Sequence, residues 1–321
     1  MDKELDLLDK KILYELDINS RASASRIARN VKVPKETINY RIKRLINDCW
    51  VDRLYTIFNA SKFGYSYYKI FLKFHKLTAE NENKIIKFIT NNPTCINLRI
   101  LEGTYDLVFS TIQKNISELR VFLQKFFNNF GTYVLEKEIH TTAKTHKLNQ
   151  KFLYEGKTVK KTFSHIDFGN YSLDEIDLGI MKLISTNSRV KLTDIANDTF
   201  IDSRLIKYRI KKLEKEGVIV TYAAALNLAQ INREFIQIDM VLKDPAIIPS
   251  IIDFFDKTNT CIFAYELLGK YDLSIEIYVK NDEMLRGILE EFKMQFLDNY
   301  VYYDISHVYR EYVINWSPFH V

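Results

Sequence analysis

The sequence predicts an α+β protein made of two repeats, each a three-helix helix-turn-helix followed by a ferredoxin-like βαββαβ domain. Three observations lead there. Sliding the chain by 168 positions aligns DKKILYELDINSR (from residue 9) with DLGIMKLISTNSR (from residue 177), and TINYRIKRL with LIKYRIKKL; over residues 9–45 the copies agree at 13 of 37 positions. Within each repeat the spacing of apolar residues changes from three and four to two, the change from helix to strand. With 321 residues and 47% hydrophobic content the chain can fill more than one core. A period this long is a repeated domain pair and not a solenoid.

In the first repeat, Leu5, Leu8, Ile12, Leu13 and Leu16 mark one helix, Ile27 and Val31 a second, and Ile38, Ile42 and Leu45 a third. Alternation begins at Tyr68, Ile70, Leu72 and Phe74. A helix over 80–91, strands over 94–101 and 107–111, a helix over 117–127 and a strand over 133–141 complete the order strand, helix, strand, strand, helix, strand. The second repeat gives the same series at 235–242, 247–255, 261–267, 272–279, 283–296 and 301–309. The expected domains are therefore 1–54 and 173–221 (helix-turn-helix), 55–145 and 222–321 (ferredoxin-like), with 146–172 as a connector lacking any sustained period.

The formal charge is +5, but residues 1–160 carry 28 basic and 17 acidic side chains whereas 161–321 carry 18 and 24. The N-terminus has no apolar core for a signal peptide, no apolar run approaches membrane-spanning length, and three cysteines form no disulfide framework, so a cytoplasmic protein is expected. Cys95 and Cys261 hold equivalent positions, where small buried residues are the simpler expectation than a redox switch. The histidines (His75, His140, His146, His165, His307 and His320) show no metal-ligand spacing. No nucleophile motif or phosphate loop appears either, so no metal, cofactor or catalytic residue is assigned.

The third helix carries the functional argument. On a helical wheel Ile38, Ile42 and Leu45 face the core while Glu36, Tyr40, Lys43 and Arg44, with Thr37 at the edge, face away. A face with cations and an aromatic hydroxyl suits phosphates and base edges, and a third helix of this kind enters the major groove. Candidate DNA contacts are Lys35, Glu36, Thr37, Asn39, Tyr40, Arg41, Lys43 and Arg44, and in the second copy Ser203, Arg204, Lys207, Tyr208, Arg209, Lys211 and Lys212. Arg41 lies on the flank, where a phosphate contact and an ion pair with acids of the first helix are both open. Residues 20–53 hold nine basic and three acidic side chains, residues 188–221 eight and five, so the first copy is expected to contribute more affinity. Asp202 can cap its helix through its side chain whereas Pro34 cannot, and Gly217 can end the second reader helix in the left-handed conformation where the first copy has Cys49.

On these residues, LDKKILYELDINSR, PKETINYRIKRL and GTYDL with their second-copy counterparts, each repeat resembles a complete regulator of the Lrp/AsnC (feast/famine) family, with an archaeal flavour. The resemblance implies double-stranded DNA as partner, transcription control, a nucleoid-associated location, and ligand-sensing domains that pair, either within the chain or between two chains. An amino-acid-like effector is implied near Gly103, Tyr105 and Asp106 and near Gly269, Tyr271 and Asp272, although a glycine and an aspartate there also suit a plain hairpin turn. Two other readings share the fold. One is a DNA-organising protein of low sequence preference, and the other a siroheme-decarboxylase-like enzyme, in which the DNA-facing charge would be lost.

Overall fold

A computed structural model describes residues 4–156 and 159–317. The first helical unit comprises α1 (Leu7–Ile18), α2 (Ala24–Val31) and α3 (Lys35–Asn47), and β1 (Val51–Phe58) leads out of it. The first ferredoxin-like domain follows as β2 (Ser66–Phe74), α4 (Ala79–Thr90), β3 (Cys95–Glu102), β4 (Leu107–Gln113), α5 (Ile116–Phe130) and β5 (Val134–Lys147). After a short β6 (Lys161–Ser164) the plan repeats as α6 (Glu175–Thr186), α7 (Leu192–Thr199), α8 (Ser203–Lys215), β7 (Ile219–Leu226), β8 (Glu234–Leu242), α9 (Ile248–Lys257), β9 (Cys261–Leu268), β10 (Leu273–Val279), α10 (Asp282–Phe296) and β11 (Tyr300–Ile314).

Local chemistry fixes the helix ends. Asp6 and Asp9 form a capping box on α1, Ser23 caps α2, and Asn115 and Asn281 cap the equivalent α5 and α10. Asp202 accepts the Arg204 backbone N–H at 2.8 Å, while Pro34 gives α3 no side-chain cap, as their chemistry requires. Gly217 takes φ +71° after α8, and its counterpart Cys49 takes φ +59°, a strained conformation for a residue with a Cβ.

The two ferredoxin-like sheets do not stay separate. Their order is β2-β4-β3-β11-β8-β10-β9-β5, with β5 pairing back onto β2, so eight antiparallel strands close into a ring and β6 adds outside β5. The joints are β3–β11 and β5–β9, which match each other under the internal repeat. Closure removes the exposed edges two open sheets would carry. The helices α4 and α5 cover one buried cluster, with Ile85, Phe109 and Phe126, and α9 and α10 cover the other, with Ile251, Phe255 and Phe292.

A separate two-stranded ladder, β1 against β7, pairs Leu54 with Ala224 and Thr56 with Tyr222. The domain boundaries expected at 54 and 221 therefore fall inside strands, because each linker also serves as one half of this ladder. The helical units dock crosswise on it. The core of the first includes Ala224 and Leu226 of β7, while Ile180, Ile206 and Ile210 of the second are continuous with Ile57 and Phe58 of β1. Backbone bonds from Ser20 N to Tyr222 O (3.1 Å) and from Ser188 N to Leu54 O (2.8 Å) repeat the relation. The connector also departs from expectation: 146–147 belong to β5, and 161–164 form a strand, since β5 offers a free backbone edge there.

Candidate nucleic-acid interface

The helices α3 and α8 bury Ile38, Ile42, Leu45 and Ile206, Ile210, Leu213, the residues that the 3.6 period placed in the core. Tyr40 is 66% exposed and Tyr208 63%, and Lys35, Glu36, Asn39, Lys43, Arg204, Lys207, Lys211 and Lys212 are exposed beside them. Thr37 and Ser203 are half-buried.

Three of the predicted contacts point elsewhere. Arg41 donates to Asp6 at 2.5 Å and to Asp9 at 2.9 Å, and Arg44 pairs with the second oxygen of Asp9. In the second unit Arg209 pairs with Asp174 at 2.6 Å and Asp177 at 3.5 Å. Asp9 and Asp177 are buried at the start of α1 and α6, so unpaired carboxylates there would be costly, and the arginines turn back to neutralise them. The hydrogen bonds that Arg41 donates to Asp6 and Asp9 hold its guanidinium further toward the charged form. The repeated arginine of YRIKRL and YRIKKL thus ties the third helix to the first. Arg44 is lost to the expected groove-facing set, leaving Lys35 and Lys43 as the exposed cations of α3 against Arg204, Lys207, Lys211 and Lys212 on α8. Along the reader helices alone, exposed cations are more numerous on α8, whereas the residue counts, taken over the whole helical units, favour the first copy.

The turns between the first and second helices join the two units. Ser20 Oγ lies 2.5 Å from Ser188 Oγ, Arg21 donates to Ser188 O (2.6 Å) and Val190 O (3.1 Å), and Arg189 donates to Ser20 O (2.6 Å) and Ala22 O (2.8 Å). The sequence held this signal as the identical NSR triplet at 19–21 and 187–189, without its geometry.

The two GxYD segments are packed and not open. A Cβ on Gly103 would lie 2.6 Å from Ser306 Oγ, and one on Gly269 2.5 Å from the His140 ring, so both glycines admit a strand of the opposite repeat. Asp106 accepts the Phe74 N–H (2.7 Å) and Asp272 the Leu242 N–H (2.8 Å), so each aspartate ties its hairpin to the end of the neighbouring strand. Asp106 also accepts from Lys73 at 2.6 Å. Tyr105 and Tyr271 are buried, with Lys270 donating to Tyr105 Oη at 3.0 Å and Tyr271 Oη donating to Asp304 at 2.6 Å. These segments build the joint between repeats.

Cys95 and Cys261 are free and buried, and burial pushes the Cys95 thiol up to about 12, which suits packing and not thiolate chemistry. Among the described residues, Glu234, Asp282 and His307 place their ligand atoms within 4.8 Å of one another, a metal-capable group that spacing could not reveal because it spans three elements. His320 lies outside the described residues.

A family model for the AsnC-type helix-turn-helix domain matches residues 5–46, and one for winged helix-turn-helix DNA-binding domains matches 173–220. An uncharacterised HTH-type transcriptional regulator of Pyrococcus horikoshii is 29% identical over 130 residues, 40% of this chain and 84% of that protein. The HTH-type transcriptional regulator FL11 of Pyrococcus abyssi is 29% identical over 119 residues, 37% of this chain and 79% of that protein. Among solved structures, the siroheme decarboxylase NirDL aligns with a TM-score of 0.65 over 97% of this chain and 95% of that one at 14% identity, a likeness of fold alone. Fold and interface together define a tandem helix-turn-helix protein whose two halves are fused into one pseudo-dimer. Its first helical unit is thus of the AsnC type and its second of the winged helix-turn-helix DNA-binding type. No helix among the described residues is long and apolar enough to cross a membrane.

Proposed function

We propose that the chain is a transcription regulator that grips double-stranded DNA with α3 and α8 at two unlike half-sites. The observation that carries this is the exposed face of the two helices: Tyr40 and Tyr208 project equivalently, but their neighbours differ, Glu36 and Thr37 against Arg204 and Leu205. Closed symmetry would force identical half-sites, and fusion removes that constraint. The contacts proposed are Lys35, Asn39, Tyr40 and Lys43 from the first reader and Ser203, Arg204, Lys207, Tyr208, Lys211 and Lys212 from the second. Binding of the full chain to a randomised duplex pool, followed by sequencing, tests this. Enrichment of a two-part motif supports it; uniform recovery with a steep salt dependence favours a DNA-organising role.

A second reading as a tetrapyrrole enzyme draws on the whole-chain likeness to NirDL and on a cavity of about 920 Å³ beneath the β1–β7 ladder. The retained cationic reader helices speak for DNA. A visible tetrapyrrole spectrum in the purified protein would reverse that preference.

A further inference from the structure

Of the four arginines on the reader helices, three serve the fold: Arg41 and Arg44 turn back to Asp9, and Arg209 to Asp174 and Asp177. Arg204 does not. Its side chain is 94% exposed on the second residue of α8, and among the described residues its one ion pair is with Asp202. Helix chemistry does not explain an arginine at that place. The first turn of a helix exposes free N–H groups and favours negative charge. The matching residue of α3 is Glu36, which suits that end, whereas Arg204 opposes it.

Asp202 aims this side chain. Its Oδ1 accepts the Arg204 backbone N–H at 2.8 Å and lies 3.4 Å from the Arg204 Nε. The backbone bond, with the guanidinium beside it, holds the Asp202 carboxyl below its ordinary range, so the oxygen stays an acceptor. With Nε engaged, the edge formed by the two Nη groups bonds to no described residue and stays free for a ligand. The neighbouring Lys207, Lys211 and Lys212 are point charges, and a guanidinium alone offers a planar fork that meets two acceptors at once. In the first copy Pro34 has no side-chain oxygen and Glu36 has no donor, so the arrangement belongs to one reader.

We infer that Arg204, with Asp202 as its positioning residue, reads one guanine in the major groove of the second half-site, donating from its two Nη groups to O6 and N7. This rests on the DNA-binding reading above and names the base that α8 selects. Guanine is the base whose major-groove edge carries two adjacent acceptors; adenine sets a donor beside its acceptor, thymine has one acceptor and a methyl group, and cytosine a donor. A fork made of donors alone fits the first and opposes the donor of adenine. The N-terminal residues of such a helix are the ones that contact base edges, and Arg204 is among them.

The experiment selects duplexes from a randomised pool with the full chain and with its Arg204→Ala and Asp202→Asn variants. Affinity is then measured on the parent's enriched duplex and on copies carrying 7-deazaguanine, which lacks N7, at each guanine in turn. In the parent, one guanine in one half of the motif should be required, and its replacement should weaken binding roughly ten-fold. Arg204→Ala should lose that requirement, keep the other half of the motif, and bind guanine and 7-deazaguanine alike. Asparagine caps a helix as well as aspartate does, so Asp202→Asn should keep the parent's thermal midpoint while its preference for that guanine over adenine falls. Three results overturn the inference: Arg204→Ala weakening all sequences evenly, the parent binding 7-deazaguanine as well as guanine throughout, or Asp202→Asn leaving the preference unaltered. A two-part motif without an Arg204-dependent guanine defeats this inference and leaves the regulator reading standing, whereas recovery without any motif defeats both.

Discussion

Ser20 and Ser188, equivalent residues of the two repeats, meet hydroxyl to hydroxyl at 2.5 Å on the approximate two-fold axis of the chain. Around them Arg21 and Arg189 each hold two carbonyls of the opposite unit. The spacing of the two readers is therefore set by a contact within the chain. Arg21→Ala with Arg189→Ala should leave each helical unit folded but release that spacing. In gel-shift titrations on sites with altered half-site separation, the variant should discriminate between spacings less than the parent does.

Arg41 and Lys43 sit two residues apart and should behave oppositely. Lys43→Ala should weaken DNA binding evenly across sequences and lower the salt slope by roughly 0.9, one phosphate contact. Arg41→Ala with Arg44→Ala strips Asp9 of both its arginine partners and should cost about 3 kcal/mol of folding stability, read by urea denaturation.

How far the sequence foretold this is clear from the same helix. The apolar period located Ile38, Ile42 and Leu45 and hence the exposed face, because that information is local. The direction of Arg44 depended on Asp9, 35 residues away, and periodicity says nothing about it. The barrel was hidden for a similar reason: alternation identifies strands, but the β3–β11 and β5–β9 joints pair residues from different repeats. The packing of Gly269 against His140 was hidden likewise, since the two residues come from different repeats.

Cys49→Gly should stabilise the first helical unit by about 1 kcal/mol, since Cys49 holds φ +59° where Gly217 serves its counterpart. Thermal denaturation of the single variant checks this, and Gly217→Cys should show the opposite sign.

Burial and the nearby Lys69 and Lys270 lower His140 to about 4, and burial lowers His165 to about 3. Both are depressed below the unfolded value near 6.5, so the unfolded chain binds more protons between the two. Their stabilisation is complete above pH 6.5 and is lost as pH falls toward 4, at about 1.4 kcal/mol per pH unit for each histidine. Urea midpoints measured from pH 7.5 to 5 should fall, and His165→Gln should flatten the slope.

The central claim is that one chain carries two readers with different preferences. Genome-wide mapping of binding sites for the full chain tests it most directly. The account predicts discrete sites sharing a two-part motif whose halves are unlike, with Tyr40→Ala relaxing one half and Tyr208→Ala the other. A symmetric palindrome, or coverage without any motif, would contradict it.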